Sequence, residues 1–117
     1  MLTIRSAQVE VFSEEAMKSF EELMLPHLKK FFSEFCAATP EPKLKAFIRY
    51  GVKRAGSYDI TAKRDVSRYI DLMVSLGADF DKDPQLPWAG QILHTRNKPD
   101  VRISTLLKTA EKYLAAA

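Results

Sequence analysis

Between Thr61 and Gly77 the apolar residues Val66, Tyr69, Ile70, Met73, Val74 and Leu76 return at steps of three and four. That spacing lines one face of a helix with about 3.6 residues per turn. Thr61 is placed to cap the start of this helix, and Gly77 is a good stop. The same period runs through most of the chain, whereas alternation at every second residue shows only between Leu2 and Val11, where Val9 and Val11 flank Glu10. A chain patterned this way has helices to pack and almost no strand to pair, so the expectation is an all-α, compact single-domain bundle of five to six helices.

The remaining helices follow from the same reasoning. Ser6 is a candidate cap for a helix that buries Val9, Phe12, Ala16, Phe20, Leu23 and Met24. Pro26 removes a backbone donor, which predicts a break or kink near Leu25 and a second helical piece carrying His27, Leu28, Phe31, Phe32 and Phe35 to about Ala38. Thr39-Pro40-Glu41-Pro42 reads as a loop, followed by a helix with Leu44, Phe47, Ile48, Gly51 and Val52 on one stripe, ending near Gly56. Asp79 to Pro84 is a turn-rich connector, Pro87 opens a short helix to Leu93, and Asp100 can cap a last helix carrying Val101, Ile103, Leu106, Leu107, Ala110, Tyr113 and Leu114. That last helix is expected to pack on the domain, although Ile103, Leu107, Ala110 and Leu114 would form a docking stripe if it were held out. With 117 residues, 46% hydrophobic and 28% charged, and with no repeat or flexible linker, residues 1–117 read as one domain.

No catalytic, cofactor or metal-binding set emerges from the residues. Asp79, Asp81 and Asp83 alternate as acids do at the start of a calcium loop. The sixth position of such a loop needs glycine and holds Pro84, and the twelfth needs glutamate and holds Gly90. The aspartates therefore read as turn and cap residues, with Phe80 turned into the core. His27 and His94 stand in no ligand spacing and read as half-buried helix residues. Cys36 has no second cysteine to pair with, and its neighbours Phe31, Phe32 and Phe35 predict a buried thiol with a raised pKa. A lone thiol suits a reducing compartment. Together with an opening Met1–Ser6 that is neither basic nor continuously apolar, and with no run long enough to span a membrane, it points to the cytoplasm.

Charge is more suggestive. The net charge is +3. Lys45, Arg49 and Lys53 fall at four-residue steps on one face, and Lys63, Arg64 and Arg68 follow on the next helix. Two basic helices in succession invite a DNA-binding reading. A helix-turn-helix, however, needs a turn of about three or four residues, and the stretch from Gly56 to Ile60 is longer, while Asp65 and Asp71 dilute the second helix. A solvated face comes first, an acidic protein surface second and nucleic acid third. Trp88, the only tryptophan, plugs the core under the connector or anchors an interface.

The string Ser57-Tyr58-x-Ile60-Thr61, then Arg64-Asp65-Val66-x-x-Tyr69-x-Asp71-Leu72-Met73, then Leu76-Gly77-x-Asp79-Phe80-Asp81-x-Asp83-Pro84-x-Leu86-Pro87-Trp88-Ala89 resembles a family of short bacterial proteins of type VI secretion effector loci. The opening, Leu2-Thr3-Ile4-Arg5 through Phe20-Glu21 and His27-Leu28, is similar to that family as well. The resemblance implies a non-catalytic co-chaperone that binds an adaptor chaperone and helps load a toxic effector onto the spike tip formed by PAAR and VgrG proteins. On that reading the expected contact residues are Lys45, Arg49 and Lys53, with Tyr58 and Trp88 as aromatic anchors. Two alternatives stay open: an immunity protein that binds and blocks a cognate toxin, and a small nucleic-acid-binding regulator. No cofactor, no metal and no membrane partner is expected, and the oligomeric state is open.

Overall fold

A computed structural model describes residues 13–116. These form six α-helices and one 3-10 turn: α1 Glu14–Phe31, α2 Ser33–Ala37, α3 Glu41–Ser57, α4 Lys63–Leu76, the 3-10 turn Phe80–Lys82, α5 Pro87–Leu93 and α6 Pro99–Ala116. No strand occurs among the described residues. The fold is the all-α bundle that the helical period predicts. The cap at Ser6, the apolar positions Val9 and Phe12, and the alternation from Leu2 to Val11 lie outside the described residues.

The first helix departs from expectation in one instructive way. Ser13 caps it, its hydroxyl accepting from the Ala16 amide at 3.3 Å, with Glu14 and Glu15 in the first turn and Lys29 and Lys30 in the last. Those charges match the helix dipole at both ends. Pro26 sits inside α1 without breaking it. The carbonyl that loses its partner belongs to Glu22, which is exposed, as Pro26 itself is. Water can take over the missing bond there, while Met24 and Leu28 are buried on either side and hold the turn to the core. The predicted break moves instead to Phe32, whose backbone leaves the helix at φ −135° and whose amide closes the last turn on the Leu28 carbonyl at 2.7 Å.

Helix α4 is the centre of the bundle, packed against α3, α6, α1 and the 3-10 turn. Its Val66, Tyr69, Ile70 and Met73 are buried together with Phe20, Leu28, Ile48, Ile60, Phe80, Leu93, Ile103 and Leu106. Gly51 marks the close crossing of α3 over α4: a Cβ there would lie 2.5 Å from Cγ1 of Ile70 and 2.9 Å from Sδ of Met73. The capping position of α4 is Ala62, not Thr61, and it makes no side-chain cap bond. Full burial of Ile60, directly after Asp59 in the left-handed region at φ 62°, fixes the path of the chain, and the helix begins only after Ala62. Similarly α6 starts at Pro99, with Asp100 in its first turn instead of at the cap. A proline at the first helical position is already set in φ and has no amide to leave orphaned.

Two burial expectations fail at the edges of the bundle. Helix α2 buries none of its residues, and Cys36 is half-buried instead of enclosed. Five residues are too few to present a full inward face, so α2 rides on its neighbours, with Phe35 tilted against Phe47 at 5.0 Å. Burial still pushes the Cys36 thiol up, as its apolar neighbours predict. Helix α6 packs on the domain through Ile103, Leu106 and Ala110, whereas Val101, Tyr113 and Leu114 are exposed.

Candidate protein-binding face

The five residues that the sequence singles out fall into three places. Lys45 and Lys53 are exposed on α3. Arg49, between them, is held: its Nε donates to Oε2 of Glu21 at 2.6 Å, and its Nη1 and Nη2 donate to the two oxygens of Glu14 at 3.1 and 2.9 Å. Hydrogen bonds to Glu21 and then Glu14 push the guanidinium pKa up, and Arg49 in turn holds the Glu14 carboxyl below the usual range. This cluster ties α1 to α3. It lies in a shallow groove of about 600 Å³ in which Lys18, Lys45 and Arg49 face Glu21 and Glu22, so the charges there largely cancel.

Tyr58 belongs to a buried polar network. Its hydroxyl donates to Oδ2 of Asp81 at 2.6 Å, the Arg54 guanidinium donates to the same oxygen, and Arg54 lies over the Tyr58 ring at 5.9 Å. The Asp81 side chain is 0% exposed. Burial and the bond to Asp81 push the Tyr58 hydroxyl up to about 12. Trp88 is half-buried at the opposite end of the α5 segment, its ring 5.8 Å from that of Tyr113. Among the described residues no hydrogen bond, ion pair or ring contact joins Trp88 or Tyr58 to Lys45, Arg49 or Lys53.

The long motif that carries the family resemblance is mostly interior. Ile60, Val66, Tyr69 and Ala89 are fully buried, Phe80 and Leu86 nearly so, Tyr58 holds Asp81, and Asp71 holds His27. Asp81 thus corrects the reading of the three aspartates as simple turn residues. Asp83 acts so through its side chain, Oδ1 accepting from the Gln85 amide at 2.9 Å, and Asp79 stands at the cap of the 3-10 turn, its carbonyl accepting from the Lys82 amide at 3.0 Å while its carboxylate receives the Tyr50 hydroxyl. Among the described residues no group of three or more His, Cys, Asp or Glu is placed to hold a metal ion. His94 is exposed just beyond α5, its Nδ1 2.7 Å from the Gly90 carbonyl, and not half-buried within a helix.

A different surface stands out. Leu23 and Phe31 on α1 are 63% and 62% exposed, four residues to either side of His27. Nε2 of His27 meets both oxygens of Asp71 on α4 at 2.9 and 3.0 Å, and its ring tilts against Phe31 at 5.0 Å. Beside this stripe runs a groove of about 240 Å³ between α1 and α4, lined by Phe20, Leu23, Met24, His27, Lys63, Arg64 and Ser67. Burial pushes the Asp71 carboxyl up, against the pull of His27. Lys63 and Arg64 are exposed on the rim, and neither forms an ion pair among the described residues. Lys30 lies 5.4 Å from the Phe31 ring at the far end. The His27–Asp71 pair has a hydroxyl beside it in Ser67, but that hydroxyl is donated to the Arg64 carbonyl at 2.9 Å.

Sequence reading placed Leu23 on the buried face and Phe31 in a buried run, and so missed this surface. The signal was present: Met17, Phe20, Met24 and Leu28 step around the core face of α1, while Leu23, His27 and Phe31 repeat every four residues on an adjacent stripe. Comparison with protein-family models, curated proteins and solved structures finds no match to the chain.

Proposed function

We propose that this chain is a protein-binding module that acts as a co-chaperone: it binds an adaptor chaperone and assists loading of a toxic effector onto the PAAR/VgrG spike tip of a type VI secretion system. The family resemblance supports the setting. The observation that carries the binding role is the α1/α4 face, where two large apolar side chains stand in water beside cations that no described acid neutralises. Scattered exposed apolar residues are ordinary, but a stripe that borders a groove and an unbalanced charge has the composition of a binding patch. Full burial of a Leu or Phe side chain is worth about 1.5 to 3 kcal/mol, and since Leu23 and Phe31 are 63% and 62% exposed the two together supply about 2 to 4 kcal/mol before ordering costs, the rest falling to the surrounding contacts.

The mechanism is stoichiometric. Apolar anchors bind, rim charges orient the partner and speed encounter, and no covalent step is required. The test is co-expression with the adaptor chaperone encoded nearest this chain, purification through a tag on one of the two, and light scattering of the eluate at low and high salt. The expected result is a stable stoichiometric complex in the absence of the toxin. No complex with the chaperone but a tight one with the isolated toxin domain overturns the proposal in favour of an immunity protein.

A further inference from the structure

We infer that the α1/α4 groove receives a single amphipathic helix from a protein partner, with its apolar stripe against Leu23 and Phe31 and an acidic flank over Lys63 and Arg64. This deepens, and rests on, the reading of the chain as a protein-binding module. Three observations define the occupant.

The first is length. Leu23 and Phe31 are eight residues apart on one helix, which is about 12 Å at 1.5 Å per residue. A partner helix laid alongside meets both with side chains two turns apart, and its intermediate apolar residue enters the groove beside Met24 and His27.

The second is charge. Asp71, the acid beside the groove, is already bound by His27, so among the described residues no acid pairs with Lys63 or Arg64 on the rim. An acidic flank supplies the missing partner, and a basic one meets repulsion.

The third is shape and symmetry. A second copy docking by a two-fold axis sets the same patch against itself, and that patch has no acid to offer Lys63 and Arg64, because its Asp71 is held by His27. An anionic membrane satisfies the cations, but a flat surface leaves the recess between the helices unfilled, whereas a helix ridge fills it. A protein helix with acids on one flank satisfies both the recess and the rim.

The probe is a labelled synthetic peptide of about 18 residues with leucines on one helical stripe and glutamates on the flank, alongside a twin with lysine at each glutamate position. Anisotropy titrations with the full chain are expected to show binding of the acidic peptide, at least about tenfold weaker binding of the basic twin, and loss of binding in the double variant Leu23→Ser/Phe31→Ser. The variant Lys63→Glu/Arg64→Glu is expected to reverse the preference between the two peptides. Both variants change exposed side chains, and an unchanged helical circular dichroism spectrum and melting curve show that they fold. No peptide binding, equal binding of both peptides, or binding to phosphatidylserine vesicles in place of the peptide each overturns the inference. If the chaperone complex forms and survives Leu23→Ser/Phe31→Ser, the groove is wrong and the module reading stands. If the acidic peptide binds as expected and the chaperone does not, the groove stands and the co-chaperone reading fails.

Discussion

Helix α1 has two flanks that look alike in composition and differ in wiring. Toward α3 it meets Arg49, and both Glu14 and Glu21 close on that guanidinium. Toward α4 it meets Lys63 and Arg64, and no acid of α1 reaches them among the described residues. The spacing pattern singles out three cations on each helix, Lys45, Arg49 and Lys53 on α3 and Lys63, Arg64 and Arg68 on α4, and on that pattern the two regions look alike. Their pairing separates them, because an arginine already saturated by two carboxylates has few donors to offer a newcomer, whereas a lysine and an arginine in water beside bare Leu23 and Phe31 have all of theirs.

The contrast can be broken by removing charges one at a time. The largest effect is expected at Arg54→Ala, which leaves the fully enclosed Asp81 carboxylate with only the Tyr58 hydroxyl. Loss of one partner of a buried pair costs about 3 kcal/mol, read from the urea midpoint at constant slope. An unchanged midpoint would show that the Asp81 network is not what holds the 3-10 turn to α3. Arg49→Ala comes next, with a smaller fall in the midpoint, because Glu21 is buried and loses its donor. Lys63→Ala and Arg64→Ala are expected to move the midpoint by less than about 0.5 kcal/mol while weakening binding of the acidic peptide. If they destabilise the fold as much as Arg49→Ala does, the two flanks are wired alike and the contrast dissolves.

Acid sharpens the same comparison in the opposite sense on each flank. Glu14 is held below its ordinary value of 4.5 by Arg49, so its contribution is present above that value and is lost as pH falls through the lowered pKa. Asp71 is pushed above its ordinary value of 3.8 by burial, so the folded chain holds that proton more tightly than the unfolded one. Stability from this group is greatest in acid and is lost as pH rises through the window that begins at 3.8. The smallest expected effects are therefore a flatter acid limb of the stability curve in Glu14→Gln and a steeper one in Asp71→Asn, measured by urea melts from neutral pH down to the onset of acid unfolding. Parallel curves for the two variants would contradict the assignment of opposite shifts.

How much of this could be read from the chain alone depends on how local the cause is. The course of α4, the proline-opened α5 and the inward turn of Phe80 follow from neighbouring residues, and so they were legible. The persistence of α1 through Pro26 depends on which way the Glu22 carbonyl faces, and the choice between a buried and an exposed Leu23 depends on where α4 lies. Asp81 is joined to Arg54 across 27 residues, a distance at which helical spacing carries no information. Lys45 and Lys53 remain exposed as their spacing suggests, but Arg49 is claimed by two acids on α1, one near its start and one two turns further on, and no periodicity within α3 announces that.

Pro26 falls between Leu23 and Phe31, inside the stretch that borders the groove. A rod of uniform hydrogen bonds resists bending equally along its length, but α1 already lacks one bond at its midpoint, on the side that faces water. Its bending stiffness is therefore lowest between the two apolar anchors. Met24 and Leu28 still tie this stretch to the core, so any give is confined to the water-facing side, where a helix of the kind inferred above would lie against Leu23 and Phe31.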